Sequence, residues 1–119
     1  MKPYIHARNS VKHFGGNVDD YIPIHTWMDS TKAHVPDMRH RVILHNSFGI
    51  FLGEQVFGAT IENSDGKTVS VRDILEKHVV EDLGFIPSLE RALSSTKLEK
   101  FIVGVGAKRR GILAGRFRD

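Results

Sequence analysis

No cysteine occurs among the 119 residues of the chain. Its absence excludes a disulfide framework, a thiolate nucleophile and any metal site built on sulfur, so an ion bound here must be held by nitrogen and oxygen. Long apolar runs are lacking as well. No stretch approaches the roughly eighteen uncharged apolar residues that would cross a bilayer, and Met1-Lys2-Pro3-Tyr4-Ile5-His6 offers no apolar run that could serve as a signal peptide. The expected setting is therefore cytoplasmic, with no membrane partner. Proline is scarce, at 4 residues, and hydrophobic residues make up 40% against 26% charged, which excludes a proline-rich or disordered chain. The length suits a single core.

What the chain does have is histidine, seven of them. Two His-x-x-x-Asp pairs, His25/Asp29 and His78/Asp82, each sit in a segment that reads as helix. A four-residue spacing puts imidazole and carboxylate on one helix face. Neutral imidazole with carboxylate is the ligand set of a divalent transition metal or the acid–base set of a hydrolytic site. His25, Asp29, His78 and Asp82 are thus the candidate metal ligands, for zinc, manganese or iron. His40 and His45 lie between the pairs. Five residues apart, they point about 140° away from each other on a regular helix, so only one of them, His45 in preference, is expected to join the site. His45 and Arg41 share a face and are the candidate catalytic residues, His45 as a further ligand or proton donor and Arg41 against phosphate charge. His6 and His13 flank the first helix, where an exposed role is the simpler reading. His34 falls in a loop, and Trp27 reads as core.

The punctuation gives a mainly α chain: four to five short helices packed as one bundle-like domain, with a small β-hairpin near 59–69. A helix from about Ile5 to His13 stops at Gly15-Gly16. Asn17, with Asp20 three residues on, reads as the N-cap of a helix through about Lys32, although Pro23 would allow its start to slip to about Tyr21. A break at Ala33–Pro36 precedes a third helix from about Asp37 to Gln55, in which Gly49 and Gly53 are positions for a close backbone approach. Asn63-Ser64-Asp65-Gly66 is the hairpin turn. Ser70 caps a fourth helix that ends at Gly84. Pro87-Ser88 opens a fifth helix through Leu93, and Phe101-Ile102-Val103 fits either strand or helix.

Charge divides the chain unevenly. The formal net charge is +3, yet Lys97 to Asp119 contains seven basic residues and two acidic ones, which leaves the preceding body slightly acidic. The expected organisation is a helical domain over 1–96 and a basic, glycine-punctuated extension over 97–119. In that extension Lys108, Arg109, Arg110, Arg116 and Arg118 are the candidate nucleic-acid contacts.

The ordered series His6-Ala7, Phe14-Gly15-Gly16, Asp20-Tyr21, Ile24-His25-x-Trp27-x-Asp29-x-x-Lys32, His40-Arg41, Leu44-His45-Asn46-Ser47, Phe57-Gly58, Asn63-Ser64 and Val71-Arg72-Asp73-Ile74-x-x-x-His78-Val79-x-x-Asp82-Leu83-Gly84-x-Ile86-Pro87 resembles a family of small proteins catalogued as a domain of unknown function. Its members are encoded mostly by bacteriophages and bacteria. The resemblance covers roughly residues 6 to 90, implies the host cytoplasm if the gene is a phage one, and carries no established activity. The ligand types are also similar to those of the metal-dependent His-Asp phosphohydrolases, but no histidine here is directly followed by aspartate, so the likeness stops at ligand type. Two functions follow. One is a divalent-metal-dependent hydrolase of a phosphoester, a nucleotide or nucleic acid. The other is a non-enzymatic accessory protein that binds nucleic acid or a host protein through its basic tail, with the His/Asp groups structural.

Overall fold

The computed structural model describes residues 1–104; the candidate nucleic-acid contacts Lys108, Arg109, Arg110, Arg116 and Arg118 lie outside the described residues. The described chain is mostly helical with one two-stranded antiparallel hairpin, the mainly α architecture expected. Its elements are α1 (Pro3–Phe14), α2 (Val18–Met28), two single turns of 3-10 helix (Ser30–Ala33 and Met38–His40), α3 (Arg41–Leu44), α4 (Ser47–Phe57), β1 (Thr60–Glu62), β2 (Thr68–Ser70), α5 (Val71–Leu83), α6 (Leu89–Leu93) and α7 (Lys100–Val103). No helix of the described residues is long and apolar enough to cross a membrane.

Helix α2 begins at Val18 in spite of Pro23, because a capping box closes its first turn: the Asp20 carboxylate accepts from the Asn17 backbone N–H at 2.7 Å. It ends at Met28 and not near Lys32, and the chain passes from Asp29 into the 3-10 turn Ser30–Ala33. Helix α5 keeps its expected bounds, with Ser70 Oγ accepting from the Asp73 N–H and Gly84 left-handed at φ 85°. The hairpin pairs Thr60 with Ser70, Ile61 with Val69 and Glu62 with Thr68. Residues 101–103 are helical.

The expected helix from Asp37 to Gln55 is divided at His45-Asn46. Asn46 takes an extended backbone, its side-chain oxygen accepts from the Gly49 N–H at 3.0 Å, and its amide donates to the Val42 carbonyl at 2.9 Å. One asparagine therefore ends α3 and starts α4. Gly49 is the close approach the sequence suggested: a Cβ there would lie 1.8 Å from the Leu44 carbonyl oxygen. Gly53 serves a different purpose, since its missing side chain admits Leu75 and Trp27 rather than another backbone.

Ile24 and Met28 of α2, Ile50 of α4 and Val71, Ile74, Leu75 and Val79 of α5 form the apolar core, with Trp27 packed against it. Helix α1 is pressed onto this core by a face of small side chains, Ala7 and Ser10, both fully buried. Small residues let α1 approach α2 and α5 closely, and the same face carries His6 inward. The His and Asp side chains gather where α1, α2, α3 and α5 meet.

Candidate metal centre

Asp29 leaves the C-terminal end of α2, His45 the C-terminal end of α3, and His78 and Asp82 project one turn apart from α5. These four each offer one donor atom, and all four atoms lie within 4.8 Å of one another. His78 Nε2 is 3.2 Å from Asp29 Oδ1 and 3.3 Å from Asp82 Oδ2, while His45 Nε2 is 3.3 Å and 3.0 Å from the same two oxygens. Nitrogen and oxygen thus alternate around a closed ring. Ligands bonded at 2.0–2.1 Å stand about 3.3 Å apart in a tetrahedral shell and about 2.9 Å apart at right angles. The observed edges fall in that interval. An imidazole N–H has one hydrogen and serves one acceptor well, yet each Nε2 here faces two carboxylates. A shared cation satisfies all four contacts at once, and these groups could hold a divalent metal.

The surroundings fit that role. His78 Nδ1 lies 2.8 Å from His25 Nδ1, and His25 Nε2 lies 2.8 Å from Ser10 Oγ, all of it buried. With His78 Nε2 given to a metal, Nδ1–H donates to His25 Nδ1, and His25 Nε2–H donates to Ser10 Oγ. Without metal the chain runs the other way. Reversing the two bonds requires no displacement of the heavy atoms at these distances, so His25 and Ser10 can orient either tautomer of His78. His6 stacks on His78 with ring centroids 3.6 Å apart, and its Nδ1 lies 2.7 Å from Glu81 Oε1, while Lys77 holds the other oxygen of that carboxylate, Oε2, at 3.0 Å. The Nε2 of His6 reaches within 3.2 Å of Asp82 Oδ1, and Arg41 Nη2 comes within 3.6 Å of the same oxygen.

Burial opposes ionisation of both aspartates, but the histidine contacts outweigh it. Hydrogen bonds to His45 and His78 hold Asp29 well below the usual carboxylate range, and contacts with His45, His6 and His78 do the same for Asp82. Burial, with His78 and His6 close by, lowers His25 to about 3, so it is a neutral imidazole. His45 is subject to the same burial, yet the two carboxylates raise it above its ordinary value.

The centre is incompletely satisfied by protein alone. The buried side-chain polar atoms without a well-formed hydrogen bond, among the described residues, are Asp29 Oδ2, His40 Nε2, Arg41 Nε and His45 Nδ1, together with His6 Nε2 and Asp82 Oδ1, which have only ionic contacts: 3.2 Å to each other and 3.3 Å from Asp82 to the N-terminal ammonium. All belong to the centre or to residues touching it; His40, held by Thr31, packs edge-on against the His45 ring at 5.7 Å. One side is open. A cavity of about 330 Å³ is bounded by His45 and Arg41 together with Arg91, Val42, Phe85 and Pro87.

Of the expected site residues, the structure brings Asp29, His78, Asp82 and His45 to one point and places Arg41 beside them. His25 stands one imidazole back, behind His78. His40 approaches as well: it ends the 3-10 turn Met38–His40 and precedes α3, so His40 and His45 do not belong to one regular helix. His6 corrects the expectation of an exposed role: it is fully buried, whereas His13 is exposed. The signal for His6 was its position beside Ala7 and four residues before Ser10, a helix face too small to be a solvent face. Lys32 and Arg39 are exposed, and Arg39 pairs with Asp37.

Fold and site together define a small α-helical protein organised around a buried cluster of imidazoles and carboxylates. A family model described as a domain of unknown function, DUF6915, matches residues 1–102, and the chain belongs to that family. The match includes every residue of the centre and all seven helical starts. No curated protein and no solved structure matches the chain significantly.

Proposed function

We propose that the protein is a divalent-metal-dependent hydrolase of a phosphoester, with Asp29, His45, His78 and Asp82 as the metal-holding set. The observation that carries this reading is the ring of four donors bordered on one side by a cavity whose walls include Arg41 and one of the donor residues, His45. A bound divalent ion supplies Lewis acidity and makes water nucleophilic near neutral pH. The overall chemistry is addition of water to phosphorus, cleavage of the ester P–O bond and uptake of a proton by the departing alkoxide. Arg41, already against Asp82, lies where it can offset charge that builds on the phosphoryl oxygens. His25 and Ser10 hold His78 in place, and Glu81 holds His6.

A second reading has its own support. Four protein donors are enough to close a tetrahedral shell, and closed shells are the mark of structural sites. The chain would then be a non-enzymatic binding protein, its ion or His/Asp network fastening α2, α3 and α5, with any nucleic-acid or protein partner engaged elsewhere. X-ray absorption on protein loaded with zinc or manganese separates the two. The hydrolase reading expects more than four light-atom ligands, with at least one from water, and metal-dependent turnover of an aryl phosphate ester. Four ligands and no turnover with either metal would support the structural site.

A further inference from the structure

The cavity beside the centre has a partner compartment. The two share Met38, Val42 and Ser95; the outer one, of about 640 Å³, is bounded further by Arg39, Lys97 and Glu99. Their charges are arranged differently. In the outer compartment each cation has a nearby acid: Arg39 Nη2 is 3.0 Å from Asp37 Oδ2, and Lys97 Nζ is 3.9 Å from Glu99 Oε1. The inner compartment has no acidic residue in its walls. Arg91, on α6, makes no ion pair among the described residues; its guanidinium rests over the Phe85 ring at 5.6 Å. Arg41 reaches in from α3, and both Arg41 Nε and His45 Nδ1 are buried atoms without a partner in residues that bound this space. Arg41 is paired at its Nη2 with Asp82, so the cation left without an ion pair among the described residues is Arg91, and it lines the same space as two residues with unspent hydrogen-bonding atoms, Arg41 and His45.

We infer that the two compartments form a binding site for a small phosphate monoester of nucleotide size, its phosphate in the inner compartment between Arg41 and Arg91 and its uncharged body in the outer one. The inference rests on the phosphoester reading above and adds to it the substrate class and a role for Arg91. Guanidinium groups suit phosphate because their paired N–H donors match two phosphoryl oxygens. Each compartment is in the range of small-molecule sites, and Val42, Phe85 and Pro87 give the inner one apolar walls against which the ester carbon can lie. The neutralised charges farther out disfavour a long polyanion, which would need free cations along its whole path.

The test is calorimetric titration of the full chain, loaded with zinc or manganese, with AMP, with inorganic phosphate and with a single-stranded twenty-nucleotide DNA. AMP is expected to bind more tightly than inorganic phosphate and than the oligonucleotide. Arg91→Gln should weaken AMP by about tenfold, and Ala92→Trp, which fills the inner compartment from α6, should remove binding; both should leave metal content and melting temperature unchanged. AMP binding that neither variant alters, or tighter binding of the oligonucleotide than of AMP, overturns the inference. So does a metal-loaded chain that ignores AMP at millimolar concentration. A chain that takes no metal yet binds AMP through Arg91 would keep the pocket and remove the hydrolase, so the two claims fail separately.

Discussion

Two polar clusters lie in this small fold, and they are built on opposite plans. At the α1–α2 turn, Asn63 donates to the Phe14 carbonyl and to Tyr21 Oη while its oxygen accepts from the Asp65 and Lys67 N–H groups. Asp20 accepts from Asn17, from the Ser64 backbone and from Ser64 Oγ, and Tyr21 donates to the Gly15 carbonyl at 2.7 Å. Every polar side-chain atom in that cluster is answered by protein. Farther along α5 from the hairpin, at His78 and Asp82, the His/Asp cluster contains or touches all of the buried polar side-chain atoms without a well-formed hydrogen bond among the described residues. Native interiors rarely leave such atoms unmatched. The first cluster pins a hairpin to a helix turn; the second has donor capacity left over, and a cation and an anion beside it are what that capacity suits.

Changing the metal should separate the two clusters by the largest effect. Excess zinc or manganese should raise the melting temperature, and chelator should lower it, by on the order of 10 °C or more if the ion is held at concentrations far above its dissociation constant. Differential scanning fluorimetry reads this. The closed Asn63 cluster predicts the contrary response at its own site: Asn63→Ala should cost about 2–4 kcal/mol by orphaning several buried groups, with the same loss in chelator and in metal.

A smaller effect is expected at the hinge between α3 and α4. Gly49→Ala forces a Cβ into the Leu44 carbonyl, so the turn that presents His45 must shift. Denaturant unfolding should show a loss of about 2–3 kcal/mol, and metal affinity should fall with it. At the small end, Ser70→Ala removes the N-cap of α5 and should cost about 1 kcal/mol; because it lies at the far end of the helix from Asp82, metal affinity should be unchanged. His25→Gln keeps the fold-filling volume but interrupts the chain behind His78. It should weaken metal binding by roughly 10- to 100-fold without changing the number of ions bound.

The sequence made the two His-x-x-x-Asp pairs legible because helical spacing is a local property, and α5 carries its pair as that spacing requires. Asp29 was found for a partly wrong reason: it sits just past the end of α2, where the chain turns away, so His25 and Asp29 diverge and only Asp29 joins the ring. The position of His45 depends on a single asparagine that divides a continuous helical pattern, and an interior Asn-Ser dipeptide is a weak stop signal next to an apolar run. His6 was hidden for a different reason. Its burial depends on which neighbours cover α1, and that is tertiary information. Arg91 had no distinguishing signal in the sequence; the packing of α6 beside α3 is what makes it part of the wall of the cavity that Arg41 and His45 also line.

The central claim is that Asp29, His45, His78 and Asp82 converge to hold one divalent ion. Crystals of protein purified without a histidine tag and soaked in zinc or manganese, with data collected at the metal edge, test it directly. A single anomalous peak is expected inside the ring, with His45 Nε2, His78 Nε2 and one oxygen of each aspartate at about 2.0–2.2 Å. No peak there at full metal loading, with the imidazoles still hydrogen-bonded to the carboxylates, would contradict it.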